Sequence, residues 1–388
     1  MKESKRGFSL VELMIAMAIG LLLLAIMSNV YLSSKMASRR LEQLSGLQQS
    51  VRLVFDYLAT DARMAGYSGC ASSTSSSFKP LAAPTFASNF ANGVEGYEFA
   101  NATAGQYTMT SYAPADIGSS SATSWATNTV GTSTTIPIDT ISGAGKGLTP
   151  GSDVLIVRTS AGLPARLTSS VVGAVSTINM ENNASGGKCS DGATDKVSGF
   201  CANSYGLIAS CSAAQVFQVN AAGTAMTLKG PLAGSNTYPT TTSEVFPMQT
   251  IAYYVKSSSS GTTTSLYRRI FDGDHASGSE VEQELVEGVE NFQVRYGVDT
   301  TTEPDGVIDG NSYVTANSVG DWSRVVAIRV SLLMRTTNQI DGDLATTLPT
   351  SAKVDNVTVT LPTTGAKFDR RVFTTTVAVR NKIAYIKP

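Results

Sequence analysis

Glu12 is the first residue in the chain whose chemistry needs an explanation. It opens the apolar run Leu13 to Met27, just after the basic residues Lys2, Lys5 and Arg6. An unpaired charge in hydrocarbon costs on the order of 3 kcal/mol, so a carboxylate at this place calls for a counter-charge. A cut between Gly7 and Phe8 would create one. The new α-amine on Phe8 would lie roughly 6 Å from Glu12 along a helix rising about 1.5 Å per residue. A straight helix does not easily bring its own two groups together, but a neighbouring chain shifted by about one turn sets its amine against this carboxylate. Charge neutralisation on assembly is the chemistry expected here.

A second constellation is rich in oxygen. Asp299, Thr301, Glu303, Asp305 and Asp309, with Gly306 permitting a tight turn, could converge on one calcium ion, which takes about six to eight oxygens at about 2.4 Å. The spacing departs from the EF-hand, because Gly310 stands where a bidentate glutamate would close the loop. The competing reading is a solvated acidic hairpin turn. No other pattern asks for a cofactor. Enzymatic activity is not expected either: His275 is the only histidine, it sits beside Asp272 and Asp274 in a polar turn, and it reads as a surface residue rather than the base of a Ser-His-Asp set. The 299–309 carboxylates come with no aromatic cleft signal of the kind a glycosidase would show.

The four cysteines, Cys70, Cys189, Cys201 and Cys211, read as disulfides in an oxidising compartment, and their spacing fits no tight zinc pair. Four cysteines permit three connectivities, which the sequence leaves open. In one of them Cys189 and Cys201 close a Gly-rich loop and Cys70, near the end of a helix, is left for Cys211.

The elements that must position these groups can be read from periodicity. The run from Phe8 to Met27 is about 30 Å long as a helix, right for a membrane span and long for a secretory signal, and it ends without a small-x-small cleavage site. The basic leader places residues 1–7 on the cytoplasmic side and the remainder outside the inner membrane. Beyond the span, Leu41, Leu44, Leu47, Val51, Val54, Phe55, Leu58 and Ala62 recur at helical intervals as one apolar stripe. No proline interrupts Phe8 to Met64, which predicts a single helix closing near Gly66 to Gly69. Gly20 is a weak point tolerated in lipid, and Ser28-Asn29-Val30 continues the helix.

After Ser72 to Ser77, a loop, the stretch Thr85 to Gly145 predicts short strands between long loops. Strands are predicted at Asp153 to Arg158, Gln215 to Val219, Thr250 to Val255 and Ser265 to Ile270. Arg324 to Arg335 and Arg371 to Asn381 are the strongest β segments and are expected to form the central sheet. The formal charge of −1 over 388 residues offers no field for nucleic acid, which is not expected as a partner.

Gly7-Phe8-Ser9-Leu10-Val11-Glu12 resembles the processing site of type IV prepilins and type II secretion pseudopilins. That resemblance makes Gly7 the last leader residue, Phe8 the methylated mature N-terminus and Glu12 the assembly glutamate. Leu285 to Asp299, Asp321-Trp322, Val325 to Arg335 and Val377 to Asn381 are similar to the PilW family of minor type IV pilins.

The family implies an α+β, type IV pilin-like fold. Residues 1–7 form the leader, 8–28 the transmembrane half of the helix, 29–66 its amphipathic half, and 67–388 an antiparallel β-rich globular domain. The implied role is a minor pilin in a tip or priming complex that initiates the pilus and supports twitching and adhesion. Its implied partners are a prepilin peptidase, other minor pilins, the major pilin, the inner-membrane assembly platform and a tip adhesin. The implied location is the inner membrane with a periplasmic domain, then the pilus tip. The alternative is a J-type pseudopilin of type II secretion.

Overall fold

The computed structural model describes residues 9–70, 78–99, 105–109, 125–126, 147–183, 187–275, 279–302, 305–311, 313–339, 348–362 and 368–382. The expected leader, the Ser72 to Ser77 loop and most of the Thr85 to Gly145 stretch lie outside these residues.

One α-helix, Leu10–Met64, runs for 55 residues, roughly 80 Å at about 1.5 Å per residue. Gly20 does not break it. Every large apolar side chain from Leu10 to Met36 is exposed, and the most apolar window of the helix has none of its surface covered by the rest of the chain. The second half is covered. Leu47, Val51, Val54, Leu58 and Ala62 are buried, and burying the two leucines and two valines among them contributes on the order of 10 kcal/mol gross.

Leu41 departs from the expected stripe: it is 69% exposed, while Leu44 and Phe55 are only partly buried. At about 100° per residue Leu41 sits about 120° around the helix from Leu47, so it points away from the domain. After Met64 the chain turns at Gly66, φ 68°, and passes so close to Gly93 that a Cβ there would stand 2.5 Å from the Gly66 backbone.

Two main sheets receive the helix. The larger has 12 strands organised about Glu244–Ser257. The second half of that strand lies between Val154–Ser160 and Thr264–Phe271, and its first half pairs with Tyr205–Ala209 and Ala165–Arg166. The four-stranded sheet runs Tyr313–Val314, Val289–Val298, Val325–Arg335, Arg370–Ala378, all antiparallel. The two strongest predicted strands are therefore neighbours, but in the smaller sheet, with Arg370–Ala378 at its edge. The last segment stops at Ala378 and ends in a 3-10 turn, Arg380–Lys382. A three-stranded sheet joins Gln106–Thr108 in parallel to Val357–Thr360.

The principal core gathers the helix stripe with Leu155, Val157, Ile251 and Tyr253 of the larger sheet and Phe292, Val294, Ile328 and Val330 of the smaller. A separate core, including Leu167, Ile178, Met180, Phe200, Phe217 and Met226, fills an accessory lobe built from short strands between residues 165 and 245.

Candidate assembly site and the clamp behind it

The helix begins at Leu10, two residues before Glu12, because Ser9 caps it. Ser9 is extended, its Oγ accepts the Val11 N–H at 3.3 Å, and its own N–H donates to Glu12 Oε2 at 2.9 Å. This is a reciprocal capping box. The carboxylate thus already has one donor within its own chain, and it sits at the positive end of the helix dipole, which favours its charge. Gly7 and Phe8 lie outside the described residues. Leu10, Val11 and Leu13 around Glu12 are more than half exposed, so the acid stands on a bare apolar rod.

The clamp that holds this rod to the domain was not foreseen. At the near end Arg40 donates to Asp369 Oδ2 from Nε at 2.9 Å and Nη2 at 2.7 Å. At the far end Asp61, 9% exposed, accepts the Tyr253 hydroxyl at 2.5 Å and Arg268 Nε at 3.0 Å. Burial, and then the Asp61 carboxylate, hold the Tyr253 phenol far above its ordinary pKa, so it stays a donor. The final carbonyls of the helix are also satisfied. Thr159 Oγ1 donates to Met64 O at 3.2 Å, and Asn381 Nδ2 donates to Arg63 O and Ala65 O at 3.1 and 3.3 Å. Asp61, an acid set between Leu58 and Ala62 on the apolar stripe, was the signal that could have revealed the clamp. Asp61→Ala leaves Arg268 and the Tyr253 hydroxyl without their acceptor. It is expected to lower stability by roughly 3 kcal/mol, read as a lower urea midpoint in Trp fluorescence.

The cysteines form Cys70–Cys211, which ties the chain just beyond the helix to the larger sheet, and Cys189–Cys201, which closes a loop of the accessory lobe. His275 lies half-buried beside Asp272.

The acidic loop resolves into local hydrogen bonds. Asp299 Oδ1 accepts the Thr301 N–H and hydroxyl, and its Oδ2 accepts the Asp305 and Gly306 N–H groups at 2.8 and 2.7 Å. Asp309 Oδ2 accepts both the N–H and the hydroxyl of Thr300, and Asp305 Oδ1 accepts the Val307 N–H. Glu303 lies outside the described residues. Burial works against ionisation of Asp299, but these donors outweigh it and hold its pKa below the ordinary aspartate value.

Two family models match the chain: the prokaryotic N-terminal methylation motif over residues 3–28, and Type IV Pilus-assembly protein W over residues 252–381. A stretch of 62 residues is 40% identical to the Pilin-like protein PilA3 of Thermus thermophilus, covering 16% of this chain and 27% of that protein. The match thus spans about a quarter of that relative's length. No solved structure matches. A methylation motif on an uncovered apolar helix that docks its second half on a β-rich domain defines a type IV pilin-like protein. The match to Type IV Pilus-assembly protein W covers the end of Glu244–Ser257, the four-stranded sheet and the edge strand beside the helix, and over these elements the chain is similar to that family.

Proposed function

We propose that this chain is a minor pilin of the tip or priming complex of a type IV pilus. It is cut between Gly7 and Phe8 by a prepilin peptidase, methylated on Phe8, and held in the inner membrane by residues 8–28 with its β-rich domain on the periplasmic side. It then joins other minor pilins and the major pilin through the assembly platform. One observation carries this reading: the uncovered apolar half of the helix starts at the Ser9–Glu12 capping box and continues without a break into a half clamped at Arg40 and Asp61. Such a rod can pack laterally with others while the domain stays fixed to it. The carboxylate of Glu12, held by a single backbone N–H, keeps acceptor capacity for the amine of a neighbouring subunit.

Deleting the gene is the deciding experiment, combined with mass spectrometry of the mature N-terminus. Loss of surface fibres and twitching, with a methylated Phe8, is the expected result. Intact fibres with blocked enzyme secretion would assign the chain to the pseudopilus of type II secretion instead.

In the same reading the 299–309 loop is a self-bonded turn rather than a calcium site, because Asp299, Asp305 and Asp309, among the described residues, each already accept backbone or hydroxyl donors. Calcium at millimolar level, or its chelation, is expected to leave the melting temperature unchanged. An upward shift with calcium would restore the cation reading. The depressed Asp299 pKa has a definite sign. Its ionised form stabilises the turn above about pH 4, the unfolded aspartate value, and that contribution disappears as pH falls through the lower folded value. Protection of the Gly306 amide, its hydrogen exchange taken relative to the intrinsic rate at each pH, is expected to persist at pH 5 and to be lost only in stronger acid.

A further inference from the structure

We propose that a cavity between the two main sheets is a binding site for an uncharged saccharide unit. It measures about 420 Å³, within the range of roughly 300–1,000 Å³ usual for small-molecule sites. Three sheets supply its walls. Glu98 and Phe99 end the strand Val94–Phe99 of the larger sheet, Gln293 and Arg295 belong to Val289–Val298 of the smaller, and Tyr107 lies in the three-stranded sheet.

Deeply buried side chains bring unused polar atoms to this cavity. The side chain of Arg295 is 9% exposed, and its Nε donates to Asp355 Oδ2 at 2.9 Å. Neither of its Nη groups has a hydrogen-bond partner among the described residues, Nη2 standing 4.0 Å from Glu98 Oε1. Gln293, 2% exposed, donates from Nε2 to Gly151 O at 2.7 Å and to Asn291 Oδ1 at 3.0 Å. Two acceptors on that side fix the amide orientation, which leaves Oε1 without a donor among the described residues. Glu98 Oε2 is buried and unpartnered. Buried polar groups are normally satisfied, so three such atoms around one cavity point to a polar occupant.

Charge selects the class of occupant. An anion drawn to Arg295 meets Glu98 and Asp153 in the same wall, and a cation meets Arg295. Burial pushes the Glu98 carboxyl above its ordinary pKa against the pull of Arg295, and burial, then Glu98, does the same to Asp153. Each hydroxyl both donates and accepts, so a polyol answers a guanidinium, an amide oxygen and a carboxyl together. Water would do this too, but the aromatic wall favours a ligand with a carbon skeleton. The Tyr107 ring lies so close to Gly151 that a Cβ there would stand 2.5 Å from it, and Phe99 meets that ring edge-on at 6.0 Å. Such a wall suits the C–H face of a pyranose. The Tyr107 hydroxyl, its pKa raised by burial, has no partner among the described residues and stays a donor. The cavity belongs to the globular domain, so saccharide binding is independent of entry into a pilus.

The test uses the full chain in a zwitterionic detergent without a sugar head group. Ligand-observed NMR follows its titration with glucose, galactose, mannose and N-acetylglucosamine, and with acetate and methylammonium as charged controls. Saturable binding at millimolar level is expected for at least one sugar, with neither ion binding. Glu98→Ala, which removes the unpartnered carboxyl oxygen, is expected to weaken that affinity at least fivefold. Tyr107→Phe, which removes no side-chain hydrogen bond within the described chain, is expected to weaken it severalfold at an unchanged melting temperature. Cosedimentation with purified peptidoglycan then separates a wall glycan from a surface polysaccharide as the source of the sugar. Absence of saturable sugar binding, equal binding by acetate, or an affinity untouched by both substitutions would each overturn the site.

Discussion

Glu12→Ala is expected to leave Gly7-Phe8 cleavage intact and to cut incorporation into fibres to roughly a tenth of the wild-type level or less, because a neighbour's amine then enters the lipid-level interface unpaired at a cost on the order of 3 kcal/mol. The capping box makes a sharper variant available. Glutamine at the same position can still reach the Ser9 N–H, as it does in natural capping boxes, but it carries no charge. If incorporation fails in Glu12→Gln as well, the charge is what recruits the next subunit. Recovery in Glu12→Gln would instead assign the role of Glu12 to starting the helix. Immunoblots of sheared fibres against whole-cell levels, with the cleaved form resolved from the uncleaved one, provide the measurement.

The largest effect on stability is expected at Glu290. It is fully buried and accepts from Arg370 Nε at 2.6 Å and Nη2 at 2.9 Å, with Arg335 Nε 3.9 Å away. Burial lowers the Arg335 pKa, Glu290 opposes that, and Arg370 adds to it. Glu290→Ala would leave two guanidinium groups facing one another at the seam where the edge strand Arg370–Ala378 starts. Breaking a buried pair from one side costs about 3–5 kcal/mol. Urea denaturation followed by Trp fluorescence should show a loss of that size. A loss below about 1 kcal/mol, the scale of an exposed pair, would mean that water enters the seam.

Local patterns made some of this molecule readable in advance. The uninterrupted helix, its apolar stripe and the strand at Val325–Arg335 follow from periodicity and from the absence of proline, which act within a few residues of each other. Tyr205–Ala209 escaped notice because five residues carry little period, and the accessory lobe because its core is assembled from pieces of two to eight residues whose apolar faces meet only in three dimensions. The predicted Thr250 to Val255 strand is less than half of Glu244–Ser257. Pro247 conceals the rest, having no N–H to donate, although its carbonyl still accepts the Ala161 N–H at 2.7 Å. At the site, Glu12 stood out because a charge among apolar residues is conspicuous. The capping role of Ser9 could have been read from Ser9-x-x-Glu12, the sequence signature of that box. Arg40 and Asp369 could not have been paired, because 329 positions separate them and nothing local marks either as a partner.

Asn381 grips the last turn of the helix, close to the opposite terminus of the described chain. Together with Arg40 and Asp61 it spreads the attachment over the whole docked length, so a pull along the rod is met as shear by several bonds and an apolar seam at once, not peeled from one end. Any force that draws the rod along its axis therefore has to carry the domain with it as a rigid passenger.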